Sequence, residues 1–332
     1  MILSGDRLPL KTCNGLLVIG DPHVGSRRPG RRKDTIWPKA VMGKLEHCVA
    51  IANERGLAPV ILGDLFDRPV EPDEALKNQL IRILKGFHHR PLVNVGNHDI
   101  QHMTLTDGDT LALLGLCDVV DVVAASAPVA EFQIGEKRLG IGVTPYGQAI
   151  PTDARGSFSG IDGQAWFTHH DIAFDGGYPG AVPPFAVEGC DVLINGHIHK
   201  TQKSVLAGRT RWLNPGTINR QSVDLVDHVP RAWILGESGE LEAQALPFES
   251  NVFDLTGRLV EAAEGGMVAR EVESAFVTLL QAESSTELKR SGDGSIVRDE
   301  IEAKFNEDNT SDAVRAIVRT LLSEAVERHA QS

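Results

Sequence analysis

Pro59-Val60-Ile61-Leu62-Gly63-Asp64-Leu65-Phe66-Asp67-Arg68 passes from an apolar run to a glycine and then to two carboxylates and a guanidinium. A short β-branched run that stops at Gly plus a polar residue suits a strand buried on both faces, with function at its carboxyl end. The same grammar recurs along the chain. Leu16-Leu17-Val18-Ile19 runs into Gly20-Asp21-Pro22-His23, and Leu92-Val93-Asn94-Val95 into Gly96-Asn97-His98-Asp99. Ala165-Trp166-Phe167-Thr168 runs into His169-His170, and Asp191-Val192-Leu193-Ile194-Asn195 into Gly196-His197-Ile198-His199. Five such strand ends are expected to converge on one edge.

The residue types fit a pair of metal ions. Asp64, with two carboxylate oxygens, can bridge two cations roughly 3.5 to 4 Å apart, the spacing of a two-metal hydrolytic site. Asp21, His23 and His199 would complete one shell, and Asn97, His169 and His197 the other. His170 competes with His169 for its place, and His169, the earlier residue at the strand end, is preferred. Neutral imidazoles and an amide with few carboxylates suit Mn, Fe, Zn or Co better than Ca or Mg. Taken singly, the blocks are weaker signals, because Asp-Pro-His and Gly-Asn-His-Asp are also turn sequences. His197 and His199, two apart on an extended segment, point the same way.

The ordered set Asp-x-His, Gly-Asp-x-x-Asp, Gly-Asn-His-Asp, His and Gly-His-x-His over about residues 15–220 resembles the calcineurin-like metallophosphoesterase superfamily. The resemblance implies an α/β fold, a two-sheet sandwich flanked by helices, and attack of a metal-bridging hydroxide on a phosphate ester. It further implies that His98 contacts phosphate and protonates the leaving oxygen, with Asp67 as the carboxylate that orients it. Arg68 would bind a phosphate oxygen, as in the phosphatase branch, or form a salt bridge with a nearby acid.

Finer features are similar to the SbcD-type DNA repair nuclease subunits. They are Gly-Asp-Leu-Phe-Asp with Pro69 and Pro72 before a helix, Val95-Gly-Asn-His-Asp99, Gly196-His-Ile-His199 and Leu213-Asn-Pro-Gly-Thr-Ile-Asn-Arg220. That likeness implies DNA as substrate, two divalent transition-metal ions with Mn foremost, and an SMC-like ATPase partner contacted through the C-terminal helices. After His23 comes a loop carrying Arg27, Arg28, Arg31, Arg32 and Lys33, whose bases would neutralise backbone phosphates, with Trp37 as a stacking surface. The chain departs from the SbcD pattern in its short acidic segment after the core and in Arg68. A phosphatase or cyclic-nucleotide phosphodiesterase is therefore the alternative reading, and a non-catalytic scaffold a more distant one.

Composition bounds the picture. With 332 residues, 42% of them hydrophobic, the chain can bury a sizeable core and carry a smaller appendage. The net charge of −12 argues against a surface that grips nucleic acid everywhere. Residues 251–332, with 16 acids and 9 bases, account for −7 of it, leaving −5 for the 29 acids and 24 bases of residues 1–250. Two divalent ions would offset most of that remainder. The expected division is a catalytic domain over 1–248 and a helical region over 249–332, a lid or a partner-docking module. Its last helix is capped by Thr310 or Ser311, and a Ser-Gly-Asp-Gly break at 291–294 separates it from the preceding one.

Cys13, Cys48, Cys117 and Cys190 are scattered without CxxC spacing. They read as reduced thiols of a soluble cytoplasmic protein, and no apolar segment reaches membrane-spanning length. Helical spacing marks 38–55 and 73–87 as outer-layer helices. Hairpins are expected at 132–144 and at 232–241, the latter returning the chain to the second sheet.

Overall fold

The computed structural model describes residues 1–174 and 180–255, together with Ile301, Glu302, Phe305, Arg315 and Arg319. In chain order the strands are β1 (Ile2–Leu3), β2 (Lys11–Cys13), β3 (Leu16–Ile19), β4 (Ala58–Ile61), β5 (Leu92–Asn94), β6 (Asp121–Val123) and β7 (Ala127–Ile134). They continue with β8 (Lys137–Thr144), β9 (Gly163–Thr168), β10 (Val192–Asn195), β11 (Val205–Ala207), β12 (Thr210–Leu213), β13 (Arg231–Leu235) and β14 (Leu241–Ala245). The helices are α1 (Trp37–Arg55), α2 (Glu74–Leu84) and α3 (Thr110–Leu116).

Two seven-stranded sheets result, ordered β1-β6-β5-β4-β3-β13-β14 and β11-β12-β10-β9-β8-β7-β2. This is the two-sheet α/β sandwich that the resemblance implies. In the first sheet β3, β4, β5 and β6 run parallel, and β13 joins β3 antiparallel. In the second, β8, β9, β10 and β12 run parallel.

The apolar runs are continuous because each strand feeds two cores. Leu17 and Ile19 of β3 and Ile61 of β4 face the layer holding α1 and α2, with Val41, Leu45, Leu80 and Leu84. Leu16, Val18, Val60 and Leu92 point the other way, into an inter-sheet layer with Ala165, Phe167, Val192 and Ile194. Trp166 and Leu193, on the outer face of the second sheet, pack with the fully buried Trp212. This is period-two alternation with both faces covered.

Local chemistry sets the helix ends. Asp73 caps α2 by accepting the Leu76 amide at 3.0 Å, and Gly56, left-handed at φ 66°, ends α1.

The hairpin β13–β14 corrects one expectation. The pattern of residues 232–241 assigns it to the second sheet, whereas β13 pairs with β3 in the first. Hairpin chemistry is local, but the sheet that receives the hairpin is chosen by distant partners.

The chain divides into two compact units. The first comprises Met1–Arg27, Ile36–Arg220 and His228–Phe248, and contains both sheets. The second comprises Arg28–Thr35, Gln221–Asp227 and Glu249–Ser332. Its described part centres on Val223, Val252 and Phe253, and Ile301, Glu302, Phe305, Arg315 and Arg319 are helical. The expected helix caps at Thr310 and Ser311, the break at 291–294 and the final apolar stripe lie outside the described residues. Among the described residues no helix is long and apolar enough to cross a membrane, and no cysteine is disulfide-bonded.

Candidate metal centre

Five strand ends bring the candidate ligands together, three from the first sheet and two from the second. Asp21 and His23 follow β3, Asp64 follows β4, and Asn97 and His98 sit in a short 3-10 turn after β5. His169 follows β9, and His197 and His199 follow β10.

The turns are tight and their backbones unusual. Among the described non-glycine residues, φ is positive at Asp21 (37°), His23 (48°), Asp64 (47°), Asp118 (55°) and His197 (70°). Four of these five are candidate ligands, which is the concentration of backbone strain expected where side chains must be aimed. Two glycines make the approach possible. A Cβ at Gly96 would lie 2.1 Å from Asp64 Oδ1, and one at Gly20 would lie 2.1 Å from the carbonyl oxygen of Gly216.

The ligand atoms form two groups that share Asp64. In the first, atoms of Asp21, His23, Asp64 and His199 all lie within 4.8 Å of one another. His23 Nε2 faces His199 Nε2 at 3.0 Å, and His199 Nε2 is 3.9 Å from Asp21 Oδ2. In the second, Asp64, His169 and His197 meet the same distance limit of 4.8 Å. Asn97 Oδ1 joins them, 2.9 Å from His197 Nδ1 and 3.3 Å from His169 Nε2.

Asp64 Oδ2 is common to both groups, 3.6 Å from His23 Nε2 and 3.0 Å from His169 Nε2. Asp64 Oδ1 instead accepts the His98 amide at 2.8 Å. One oxygen of Asp64 therefore faces both groups.

The donor set fits two transition-metal ions. Asp21 is 1% exposed, yet neither of its carboxylate oxygens has a hydrogen-bond partner. Buried polar atoms are otherwise almost always paired. His23 Nε2 and His199 Nε2 face each other at 3.0 Å, and a cation there would engage both lone pairs together with the Asp21 oxygens. Mixed nitrogen and oxygen donors suit Mn, Fe, Co or Zn.

Titration follows from the crowding. Burial, with the neighbouring charge of Asp64 and against the opposing pull of His169, pushes the Asp21 carboxyl up to about 6. Burial alone would also raise Asp64, but His169, His98 and His23 outweigh it and hold this carboxyl well below the ordinary range. Burial disfavours a charged His169, but Asp64 and Asp21 win and bring it up to about 9. Without cations, a proton on His169 offsets part of the carboxylate charge, so metal uptake there would displace it.

His98 lies beside the first group, its ring 4.8 Å from that of His23 in a T-shaped contact. Its Nδ1 meets the main-chain carbonyl of Asp67 at 2.8 Å. The Asp67 backbone thus takes part in orienting the ring, beside the carboxylate role that the family resemblance implies. Asp67 Oδ1 lies 3.9 Å from His23 Nδ1, and His23, Asp67 and His98 form a third potential ligand cluster. His170 is directed elsewhere, to the Thr168 hydroxyl and to the Gln148 carbonyl at 2.8 Å, which leaves His169 in the cluster.

The basic loop is corrected in part. Arg32 is 4% exposed, with two nitrogens on the Asp34 carboxylate at 2.7 and 2.8 Å and its guanidinium over the Phe253 ring. Trp37 is 2% exposed in α1 and offers no stacking face. Arg28 is exposed and donates to the Asp34 carbonyl at 2.8 Å, and Arg31, half-buried, reaches the Asp254 carbonyl at 3.4 Å. Arg27 and Arg68 are half-buried.

Three residues with clear places here were not singled out from the sequence. Asp99, fully buried, accepts the Phe66 amide at 3.1 Å and the Gly96 amide at 2.9 Å, tying the β4 and β5 turns together. Burial and the nearby Asp64 raise its carboxyl to about 7. Asp171 meets His197, and the Tyr146 ring lies 5.6 Å from that of His197. Asp99 and Asp171 belong to the strings Asn-His-Asp and His-His-Asp, where an acid next to ligand histidines was the available hint.

Neither a protein-family model nor a curated protein matches the chain. Among solved structures, it is similar to a novel archaeal phosphodiesterase at 12% identity, covering 70% of this chain and 99% of that one, with a TM-score of 0.38. It is also similar to the 5'-nucleotidase precursor from Thermus thermophilus at 14% identity, covering 77% of this chain and 60% of that one, with a TM-score of 0.42. With both TM-scores below 0.5, the functional reading rests on the residues themselves.

Proposed function

We propose that this chain is a phosphodiesterase that uses two divalent transition-metal ions, most simply Mn, to hydrolyse DNA phosphodiester bonds as an SbcD-like nuclease. The observation that carries the reading is the gathering of Asp21, His23, Asp64, Asn97, His169, His197 and His199, with both Asp21 oxygens buried and unpartnered. Bound ions would supply Lewis acidity toward the phosphoryl oxygens and lower the pKa of water to roughly 7.

The chain's own residues do the rest. His98 donates from Nδ1 to the Asp67 carbonyl, so Nε2 is the nitrogen that takes up and gives a proton at the leaving oxygen. The His98 amide holds Asp64 Oδ1, which keeps the shared Oδ2 turned to both groups. Arg27, Arg28, Arg31 and Arg68 enter the proposal as phosphate-binding bases on the strength of the resemblance and the basic loop, whereas Arg32 is buried on Asp34. The resemblance also brings an SMC-like ATPase partner on residues 249–332 into the proposal, and the scattered cysteines bring a cytoplasmic location.

The internal role of Arg32 shortens the basic loop and favours the second reading, a phosphatase or cyclic-nucleotide phosphodiesterase using the same ions. One assay separates them. Mn-loaded protein is given circular single-stranded DNA, linear duplex, a bis-aryl phosphate and a mono-aryl phosphate, beside His98→Ala and a triple Arg27, Arg28 and Arg31→Ala variant. DNA cleavage abolished by His98→Ala, and weakened with a shallower salt dependence in the triple variant, is expected. Efficient monoester turnover without DNA cleavage selects the phosphatase reading.

A further inference from the structure

His197 is backed by a carboxylate. Its Nε2 lies 2.8 Å from Asp171 Oδ1, while its Nδ1 faces Asn97 Oδ1 at 2.9 Å, inside the second ligand group. His169 of the same group is arranged differently, with Nδ1 against the Leu62 main-chain carbonyl at 3.1 Å and Nε2 toward Asp64. In each ring one nitrogen meets an outer acceptor and the other points inward. A ring nitrogen held by a carboxylate carries the proton, so the opposite nitrogen presents its lone pair.

We propose that Asp171 is a positioning residue that fixes His197 as the Nε2–H tautomer, aims Nδ1 at the second cation, and sets the affinity of that site alone. The inference rests on the two-cation reading above. A full negative charge behind the ring makes Nδ1 a stronger donor than a neutral carbonyl would. The first group, Asp21, His23, Asp64 and His199, does not include His197 and keeps its own donors. In that group His23 Nδ1 stands 3.9 Å from Asp67 Oδ1, longer than the 2.8 Å between His197 and Asp171.

The backbone delivers Asp171 from a fixed base. Its carbonyl accepts the Val182 amide at 2.9 Å, and the Ala173 amide donates to the Val182 carbonyl at 2.9 Å. Between them Ile172, 2% exposed, packs with Trp166, Leu193 and Trp212. The carboxylate therefore reaches His197 without the freedom of a surface side chain.

The test titrates metal-stripped protein with Mn²⁺ by calorimetry, with equilibrium dialysis to fix the stoichiometry. The wild type is expected to bind two ions. Asp171→Ala should bind one with unchanged affinity and the other about 10- to 100-fold more weakly. Asp171→Asn, which keeps an acceptor oxygen without the charge, should fall between them and covers the case in which the alanine variant does not fold. Raising Mn²⁺ should restore turnover in both variants. Wild-type affinity at both sites in the variants, or an equal loss at both sites, overturns the proposal. A wild type that binds fewer than two ions removes the underlying reading instead, so the two failures are told apart.

Discussion

Asp21 is a carboxylate buried with neither oxygen hydrogen-bonded, a place where a proton or a cation would relieve its charge. In metal-free protein its folded form is easier to protonate than its unfolded form, at about 6 against 3.8. Such a group favours the fold below about pH 4, and that support is lost as pH rises through about 6, a swing on the order of 3 kcal/mol. Asp21→Asn has no such swing. The metal-free variant should therefore gain on the metal-free wild type between pH 4 and 7, and saturating Mn²⁺ should reverse the order. Thermal unfolding across that window, with and without Mn²⁺, checks both halves. A pH-independent difference in midpoint would remove the argument. At this scale the gathering of the candidate ligands was legible, because side-chain type and strand-end position specify it. Asp99 was not, since its value lies in joining the Phe66 and Gly96 amides across two separate turns.

The turns after β3, β4 and β5 work only because their glycines admit neighbouring chain segments. At Gly96, φ is ordinary and the restriction is space alone: the added methyl of Gly96→Ala would sit 2.1 Å from Asp64 Oδ1. That methyl should displace the shared carboxylate, at a stability cost of about 1 to 3 kcal/mol and with a larger loss of metal affinity. Chemical denaturation and Mn²⁺ titration of the variant measure the two effects, and unaltered metal binding would show that Asp64 is not held where the structure puts it. Strand ends and helices were readable from apolar period, down to α1 at Trp37–Arg55 against an expected 38–55. The destination of β13–β14 was not, nor was the burial of Arg32 and Trp37. The hairpin and Arg32 depend on partners far along the chain: Leu16, Leu17 and Val18 for β13, and Phe253 for Arg32.

Ligands from both sheets meet in one place, so a bound ion joins elements that otherwise touch through side chains of the inter-sheet layer. Mn²⁺ at one hundred times its dissociation constant should stabilise the chain by about 2.7 kcal/mol per site, and a chelator should undo it. Amide hydrogen exchange is expected to slow at the ends of β3, β4, β9 and β10 together on metal addition. Protection confined to one sheet would contradict the shared centre.

The left-handed backbones at Asp21, His23, Asp64 and His197 carry a practical warning. Glycine relieves each of them at no steric cost, whereas every other side chain inherits the tension. A laboratory selection that rewards heat tolerance and ignores turnover would thus find its easiest gains here. It would return a hardier molecule stripped of its chemistry.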